Sequence, residues 1–400
     1  MDKLAFRLAG DLQEELVKGI LPFWIIKMVD NVNGGFYGQI NGNNLLLKDS
    51  PKGSILNARI LWTFSACFRQ LKDPLYLSTA TRAKEYIINH FFDRQFGGTY
   101  WSLKPNGDPL DTKKQVYSQA FFIYALSEYH LATGDEQSKE LAINLYELIE
   151  KYSYDKKLGG YFEAYNREWQ LLEDLRLSDK DANEKKTMNT HLHILEAYTN
   201  LYRIWKDKRL SEQLRNLILD FTERIIDKKT SHLNLFFDEN WICKSALTSY
   251  GHDIECSWLL FEAAIELGDE LLLKKVKHLC LTIVDAVGEG LQPDGSIIYE
   301  KDGSTGHTDM DRHWWPQAEA VVGFFNAYEV TSDVKYLNQA VKTFNFIRNN
   351  LIDQANGEWF WSIKTDGSVN LKDDKAGFWK CPYHNGRMCL EIIRRIEISK

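Results

Sequence analysis

A turn-and-aromatic signature returning roughly every 60 residues constrains this 400-residue chain more than any other feature. It reads Gly34-Gly35-Phe36-Tyr37, Gly97-Gly98-Thr99-Tyr100, Gly159-Gly160-Tyr161-Phe162, Asp294-Gly295-Ser296-Ile297 and Gly357-Glu358-Trp359-Phe360. A degenerate copy, Asn234-Leu235-Phe236-Phe237, falls between the third and fourth, and successive first residues lie 63, 62, 75, 60 and 63 positions apart. Glycine pairs followed by alternating aromatics predict turns leading into short strands. Two helical patterns accompany each copy. One precedes the turn, as in Tyr76 to Phe92 and Tyr336 to Ile352; the other follows the strand, as in Asn57 to Leu71, Thr190 to Trp205 and Ile254 to Leu267. Acidic punctuation closes most of the second helices, at Lys72-Asp73, Gly134-Asp135, Lys206-Asp207, Gly268-Asp269 and Ser332-Asp333.

Six units of two helices predict twelve helices, and burial decides how they stack. The second helix of each unit is apolar nearly all round, as in Ala120-Phe121-Phe122-Ile123-Tyr124-Ala125-Leu126 and Ala320-Val321-Val322-Gly323-Phe324-Phe325. A helix of that kind has no solvent face. Six inner helices ringed by six outer ones, an all-α (α/α)6 barrel with short hairpins and loops walling one end, satisfy both the period and the pattern. The alternative, an open superhelix, needs capping repeats with polar outer faces. No low-complexity linker interrupts the chain, so residues 1–400 are expected to form one catalytic domain.

Composition narrows the partners. The 49 basic and 56 acidic residues leave a net charge of -7, with no basic surplus to neutralise phosphates, which argues against nucleic acid. No apolar run approaches the roughly 18 residues of a membrane span. Met1 to Ile20 is amphipathic, carries Asp2, Glu14 and Glu15, and lacks the basic-then-apolar layout of a signal peptide. Cys67, Cys243, Cys256, Cys280, Cys381 and Cys389 form no CxxC pair and sit mostly in apolar helical surroundings. They are expected to be reduced thiols in a cytoplasmic protein.

The polar residues converge. Fourteen positions before the closing Asp of each unit lie Arg59, Phe121, His193, Glu255 and Glu319. Eighteen before it lie Ile55, Tyr117, Asn189, Gly251 and Trp315. Units related by rotation bring equivalent positions to one end of the barrel axis, where helix N-termini add partial positive charge suited to a developing oxyanion. His90, His130, His232 and His278 fall on outer helices, helix ends or loops. In His191-x-His193 the two rings face apart, and no HExxH pattern occurs, so no metal is expected. His252 opens an inner helix with Glu255 three residues on, on the same face. The carboxylate raises its pKa while burial and the helix N-terminus lower it, which places the imidazole near neutrality and ready for proton transfer. His384 precedes the last inner helix, beside the first unit if the ring closes. Trp315 and Trp379, with Tyr117, suit stacking on a sugar ring. Glu255 and Glu319 also make a carboxylate pair such as a glycosidase uses, so on these residues hydrolysis and non-catalytic sugar binding stay open beside proton transfer.

Four segments are similar to motifs of the cellobiose 2-epimerases, within the N-acylglucosamine 2-epimerase superfamily. They are Asn189-Thr190-His191-Leu192-His193, Ser249-Tyr250-Gly251-His252-Asp253-Ile254-Glu255, Arg312-His313-Trp314-Trp315-Pro316-Gln317-Ala318-Glu319, and Phe378-Trp379-Lys380-Cys381-Pro382-Tyr383-His384-Asn385-Gly386-Arg387. The resemblance implies an (α/α)6 barrel and reversible epimerisation at C2 of the reducing-end sugar in β-1,4-linked disaccharides such as cellobiose, lactose or mannobiose. It implies no metal or nucleotide cofactor. By the same resemblance His252 and His384 are the general acid and base, and Arg59 lies near the reacting carbonyl. Tyr117, Asn189 and His193 line that subsite, Trp315 and Trp379 stack on sugar, and Glu255 supports the catalytic histidine. Glu319, Ser178 and Asp181 are further substrate-site positions, the last two in the loop before the third inner helix. The enzyme is expected to work as a monomer or homodimer whose partner is its disaccharide, with no membrane attachment.

Overall fold

The computed structural model describes residues 3–398, so Met1 and Asp2 of the amphipathic opening stretch lie outside the described residues. Helices follow in the order α1 (Lys3–Glu14), α2 (Leu21–Lys27), α3 (Ser54–Leu71), α4 (Pro74–Tyr86), α5 (Val116–Thr133), α6 (Glu136–Tyr152) and α7 (Met188–Ile204). Then come α8 (Lys208–Asp220), α9 (Tyr250–Leu267), α10 (Glu270–Ala286), α11 (Trp314–Thr331), α12 (Val334–Phe346) and α13 (His384–Ile398). A π turn at Glu15–Ile20 joins α1 and α2 into one outer helix.

From α3 to α13 the odd-numbered helices are neighbours in a ring, and α13 returns to pack against α3 and α1. The ring is closed, which excludes the open superhelix. A backbone bridge between Ile40 and Ala376 repeats the closure at the loop end. Every residue from Val116 to Tyr129 of α5 is buried, whereas α8 buries a stripe through Leu210, Leu214, Leu217 and Ile218. That is the contrast between inner and outer helices which the apolar pattern predicts.

Short antiparallel pairs wall one end. The residues entering an inner helix pair with the segment after the next unit's turn. Lys52-Gly53 meets Ser102-Leu103, Lys114-Gln115 meets Ala164-Tyr165, and Lys186-Thr187 meets Phe236-Phe237. Leu247–Ser249 meets Glu300–Asp302, and Arg312-His313 meets Ser362-Ile363. The acidic punctuation caps the outer helices: Asp73 accepts from the Leu75 N–H at 2.9 Å and Asp269 from the Leu272 N–H at 2.9 Å.

The degenerate fourth copy is displaced from its expected place. The bridge between Ile226 and Leu233 matches those between Phe92 and Thr99 and between Tyr154 and Tyr161. Ser231-His232 therefore replaces the glycine pair, and Asn234-Leu235 does not. Ser231 takes a left-handed φ of 62°, where Gly159 has 74°. In five of the six turns the register is set by an Asp four residues ahead of the left-handed residue, not by the aromatics. Asp30, Asp93, Asp155, Asp227 and Asp353 each accept two backbone N–H groups of their own turn.

Four of these carboxylates also hold a buried lysine. Lys52 reaches Asp30 at 2.8 Å, Lys114 reaches Asp93 at 3.0 Å, Lys186 reaches Asp155 at 2.8 Å, and Lys375 pairs with Asp353. Lys186 also donates to the carbonyls of Gly159 (2.8 Å) and Glu239 (3.0 Å). Removing one partner of a buried pair strands the other charge and costs about 3–5 kcal/mol. Lys186→Met is expected to lose stability of that order in chemical denaturation, while the exposed Lys229→Met stays near wild type. Equal midpoints for the two variants would remove the ion pair from the architecture.

Candidate active site

Each inner helix presents two buried residues, two positions apart, with separate tasks. The first ties the helix to a turn in five of the six units. Gln119 bonds the Thr99 N–H (2.8 Å) and carbonyl (3.1 Å), and His191 accepts from the Tyr161 N–H at 2.9 Å. Asp253 accepts from the Leu233 N–H at 2.9 Å, Gln317 spans the N–H and carbonyl of Ile297 at 2.8 and 2.7 Å, and Asn385 donates to Glu358 at 2.6 Å. The second member, two residues on, meets its counterparts at the barrel axis: Phe121, His193, Glu255, Glu319 and Arg387. Arg59 follows Asn57 in the same way.

Arg387 is the hub of that meeting. Its Nη2 donates to Glu255 Oε1 at 2.6 Å and to Glu319 Oε1 at 2.7 Å, and its Nη1 donates to Glu196 Oε1. The Tyr383 hydroxyl donates to the same Glu196 oxygen. Two imidazoles hang from the cluster: His384 Nδ1 donates to Glu319 Oε1 at 2.6 Å, and His193 Nδ1 to Glu196 Oε2 at 3.0 Å. Trp258 Nε1 donates to the remaining Glu319 oxygen at 3.0 Å. All of these groups are buried. Loss of water pushes Glu255 up to about 7, with repulsion from Glu319 adding to it and Arg387 opposing, and raises Glu319. Burial acts the same way on Glu196, but Arg387 and His193 outweigh it and pull that carboxyl down to about 2.

Two expectations are corrected here. Burial drives His252 down to about 3, and drives His384 well below its ordinary value with Arg59 and Arg387 adding to the effect. Both rings therefore rest neutral at pH 7 instead of titrating near it. Nor does Glu255 support His252. The Nδ1 of His252 meets Ser249 Oγ at 2.8 Å, while Glu255 is held by Arg387 and lies 4.0 Å from Nδ1 of His384. The reason is chemical: a guanidinium on the axis is a stronger partner for a carboxylate than a neutral imidazole on the same helix.

The two histidines flank one surface. The Trp315 ring lies 4.7 Å from that of His252 and 5.7 Å from that of His384. Arg59, also buried, donates to the Tyr117 hydroxyl at 2.9 Å and the Trp379 carbonyl at 3.3 Å, and lies over the rings of Phe121 and Tyr383 at 4.2 and 4.6 Å. His193 stands edge-on to Tyr117 at 4.9 Å, and Trp379 does so at 6.1 Å. Trp101 joins Trp379 at 5.8 Å. Asn189, in the register of Tyr117 and Trp315, keeps a buried Oδ1 without a protein partner. Ser178 and Asp181 connect to this wall through Tyr299, whose ring lies 6.4 Å from that of Trp315. Asp181 accepts both the N–H and the hydroxyl of Ser178 at 2.9 Å, closing a turn whose charge is felt by Tyr299 and Glu300 on a facing hairpin.

Glu255, Glu319 and His384 offer three donor atoms within 4.8 Å of one another. The Nη2 of Arg387 already bonds both carboxylates, so the cation of this cluster is organic and the donor set does not fit an ion in addition. Sequence patterns do not mark Glu196, Trp258 or Trp101, and the motifs that contain Ser249 and Tyr383 give neither a role. Arg387 carries a signal in its motif and in the two-residue register that Asn385 and Arg387 share with Gln317 and Glu319.

The sequence profile of the N-acylglucosamine 2-epimerase (GlcNAc 2-epimerase) family matches residues 35–386. A cellobiose 2-epimerase of Bacteroides fragilis is 56% identical over 386 residues, 96% of this chain and 98% of that protein. The chain belongs to the cellobiose 2-epimerase branch of that family. The structure of cellobiose 2-epimerase from Bacillus thermoamylovorans superposes with a TM-score of 0.93 at 41% identity, covering 97% of this chain and 99% of that one. An α-mannanase from Bacteroides thetaiotaomicron, at 12% identity and a TM-score of 0.64 over 99% of this chain and 97% of that one, shares the fold alone. In this epimerase, Ser249→Ala removes the bond that orients His252. Such orienting bonds carry roughly 10–100-fold in activity, so kcat is expected to fall by that factor with KM little changed. An unaltered kcat would take Ser249 out of the site.

Proposed function

We propose that the chain inverts C2 of the reducing-end sugar in β-1,4-linked disaccharides through a ring-opened enediolate, with His252 and His384 as the proton-transfer groups. One observation carries the chemistry: two neutral imidazoles, His384 buried and His252 half-buried, flank Trp315, in a wall that also holds Arg59. The cellobiose 2-epimerase relatives support cellobiose; lactose and mannobiose, which share its β-1,4-linked reducing-end hexose, belong to the same proposal.

A C2 hydrogen is acidic only beside a free aldehyde, so the ring opens first, the O1 proton leaving to a base while O5 receives one. The imidazole facing C2 then takes its hydrogen through Nε2. The C–H electron pair forms the C1=C2 bond, and the negative charge moves to O1. Arg59 stabilises that oxyanion in a site from which water is excluded. Rotation about C2–C3 presents the opposite face to the second imidazole, which, having gained a proton, delivers it to C2. The first imidazole gives up its own, so the cycle neither gains nor loses protons. Glu319, bonded to Nδ1 of His384, favours the imidazolium that forms during turnover. Trp315, Trp379 and Tyr117 supply flat surfaces for the sugar rings. Asn189 and His193 line the reducing-end subsite, and Ser178 and Asp181 meet the second sugar at the mouth.

Hydrolysis fits this geometry poorly. Glu255 and Glu319, the carboxylates a glycosidase would set on either side of a glycosidic bond, share one guanidinium nitrogen. Among the described residues no helix is long and apolar enough to cross a membrane. A cytoplasmic monomer or homodimer, acting without cofactor or nucleic acid, belongs to the same proposal.

Incubation with cellobiose or lactose in D2O is expected to place deuterium at C2 and produce the mannose-configured epimer. Release of monosaccharides would replace the proposal with hydrolysis. Since a positioned acid–base group contributes ~10²–10⁴-fold, His252→Ala and His384→Ala should each slow exchange at least that much with the helical circular dichroism retained. Near wild-type turnover in either variant would remove that residue from the chemistry.

A further inference from the structure

Two imidazoles that rest neutral leave open where the acid for the second proton transfer comes from. The hydrogen bonds around Arg387 bear on this. A continuous path runs from His193 Nδ1 through Glu196, Arg387 and Glu319 to His384 Nδ1, with Glu255 attached to the same guanidinium. A second guanidinium, Arg59, lies over the Tyr383 ring at 4.6 Å, and Arg387 lies over it at 4.3 Å.

Groups from all six inner helices face this volume: Arg59 on α3, Tyr117 and Tyr124 on α5, His193 and Glu196 on α7, His252 and Glu255 on α9, Glu319 on α11, and His384 and Arg387 on α13. Cys381 and Tyr383 face it from the segment entering α13. Burial holds the tyrosines and the thiol neutral. Two guanidinium charges then meet three carboxylates. One proton restores balance, and in a water-poor interior an unbalanced charge is costly.

We infer that Arg387 is a positioning residue that couples His193 to His384 and sets at one the number of mobile protons shared by these two histidines and the three carboxylates. This rests on the proton-transfer reading above and deepens it. Protonation at one end of the path lowers the proton affinity of the other, because both carboxylates answer to one guanidinium. His193 thereby contributes to turnover without contacting C2, and the shared proton is the acid that the neutral histidines lack.

The test is a ¹⁵N-histidine NMR titration of the free enzyme, paired with the pH profile of kcat/KM for C2 exchange, on Arg387→Met, Arg387→Lys and Glu196→Gln. Loss of an adjacent cation moves a buried group by about one pH unit or more. Arg387→Met is expected to raise the midpoint of His384 by that amount and to carry the acidic limb upward with it. Arg387→Lys should bring both back toward wild type. Glu196→Gln removes an anion at the far end of the path and should move the His384 midpoint and the acidic limb downward, the opposite sign. Activity lost with midpoints unmoved would make Arg387 a packing residue and overturn the inference. If Arg387→Met does not fold, the sign of the Glu196→Gln shift decides. The titration reads the free enzyme, so variants that shift as described, with a wild type that exchanges no C2 hydrogen, support the coupling and refute only the assigned reaction.

Discussion

A guanidinium held among three carboxylates on the barrel axis is the interaction around which this molecule is organised. Glu196, Glu255 and Glu319 come from three different inner helices, and Arg387 comes from a fourth. A buried charge that loses its partner costs more than the pair gains over apolar packing. The cluster therefore acts less as a source of stability than as a constraint on register. Rotating any one of the four helices by a residue would strand a charge in the core. The same carboxylates orient His193 and His384, so what holds the helices in register also sets the tautomers of two site histidines.

The ring provides the rest of the environment. Inner helices buried on all sides exclude water, and exclusion of water keeps His252 and His384 neutral while two arginines stay charged. Neutral bases beside a fixed cation are what removal of a weakly acidic C–H requires. The loop end is tied to the ring by buried polar contacts. Asp-capped turns carry buried lysines and are pinned by the residue two positions before each axial group. Scaffold and site thus alternate along each helix, at Gln119 and Phe121, His191 and His193, Asp253 and Glu255, Gln317 and Glu319, and Asn385 and Arg387. This explains why two histidines two apart, His191 and His193, have unrelated roles.

Much of the site was legible before the fold, because rotation turns equal position in a repeat into convergence in space. Arg59, His193, Glu255 and Glu319 share one register in the sequence and one locus in the barrel. The displaced fourth copy shows the limit of such reading. Aromatics mark the strand after a turn, but the turn itself is set by a capping Asp and one left-handed residue, which in that unit is Ser231 and not glycine.

Period, apolar patterning and capping are local properties, and from them the chain by itself determined six helical pairs, which helices are buried and the end at which polar groups gather. Closure of the ring, expected over an open superhelix, was settled by α13 packing on α3. Partnership and ionisation are not local. Glu196 meets Arg387 across 191 residues, Glu255 turns away from His252 toward that same arginine, and Ser249 takes the imidazole instead. Only the closed tertiary structure decided these, because hydrogen-bond choice depends on which donor lies nearest in space. The pKa values likewise depend on how much water the whole ring removes from each group.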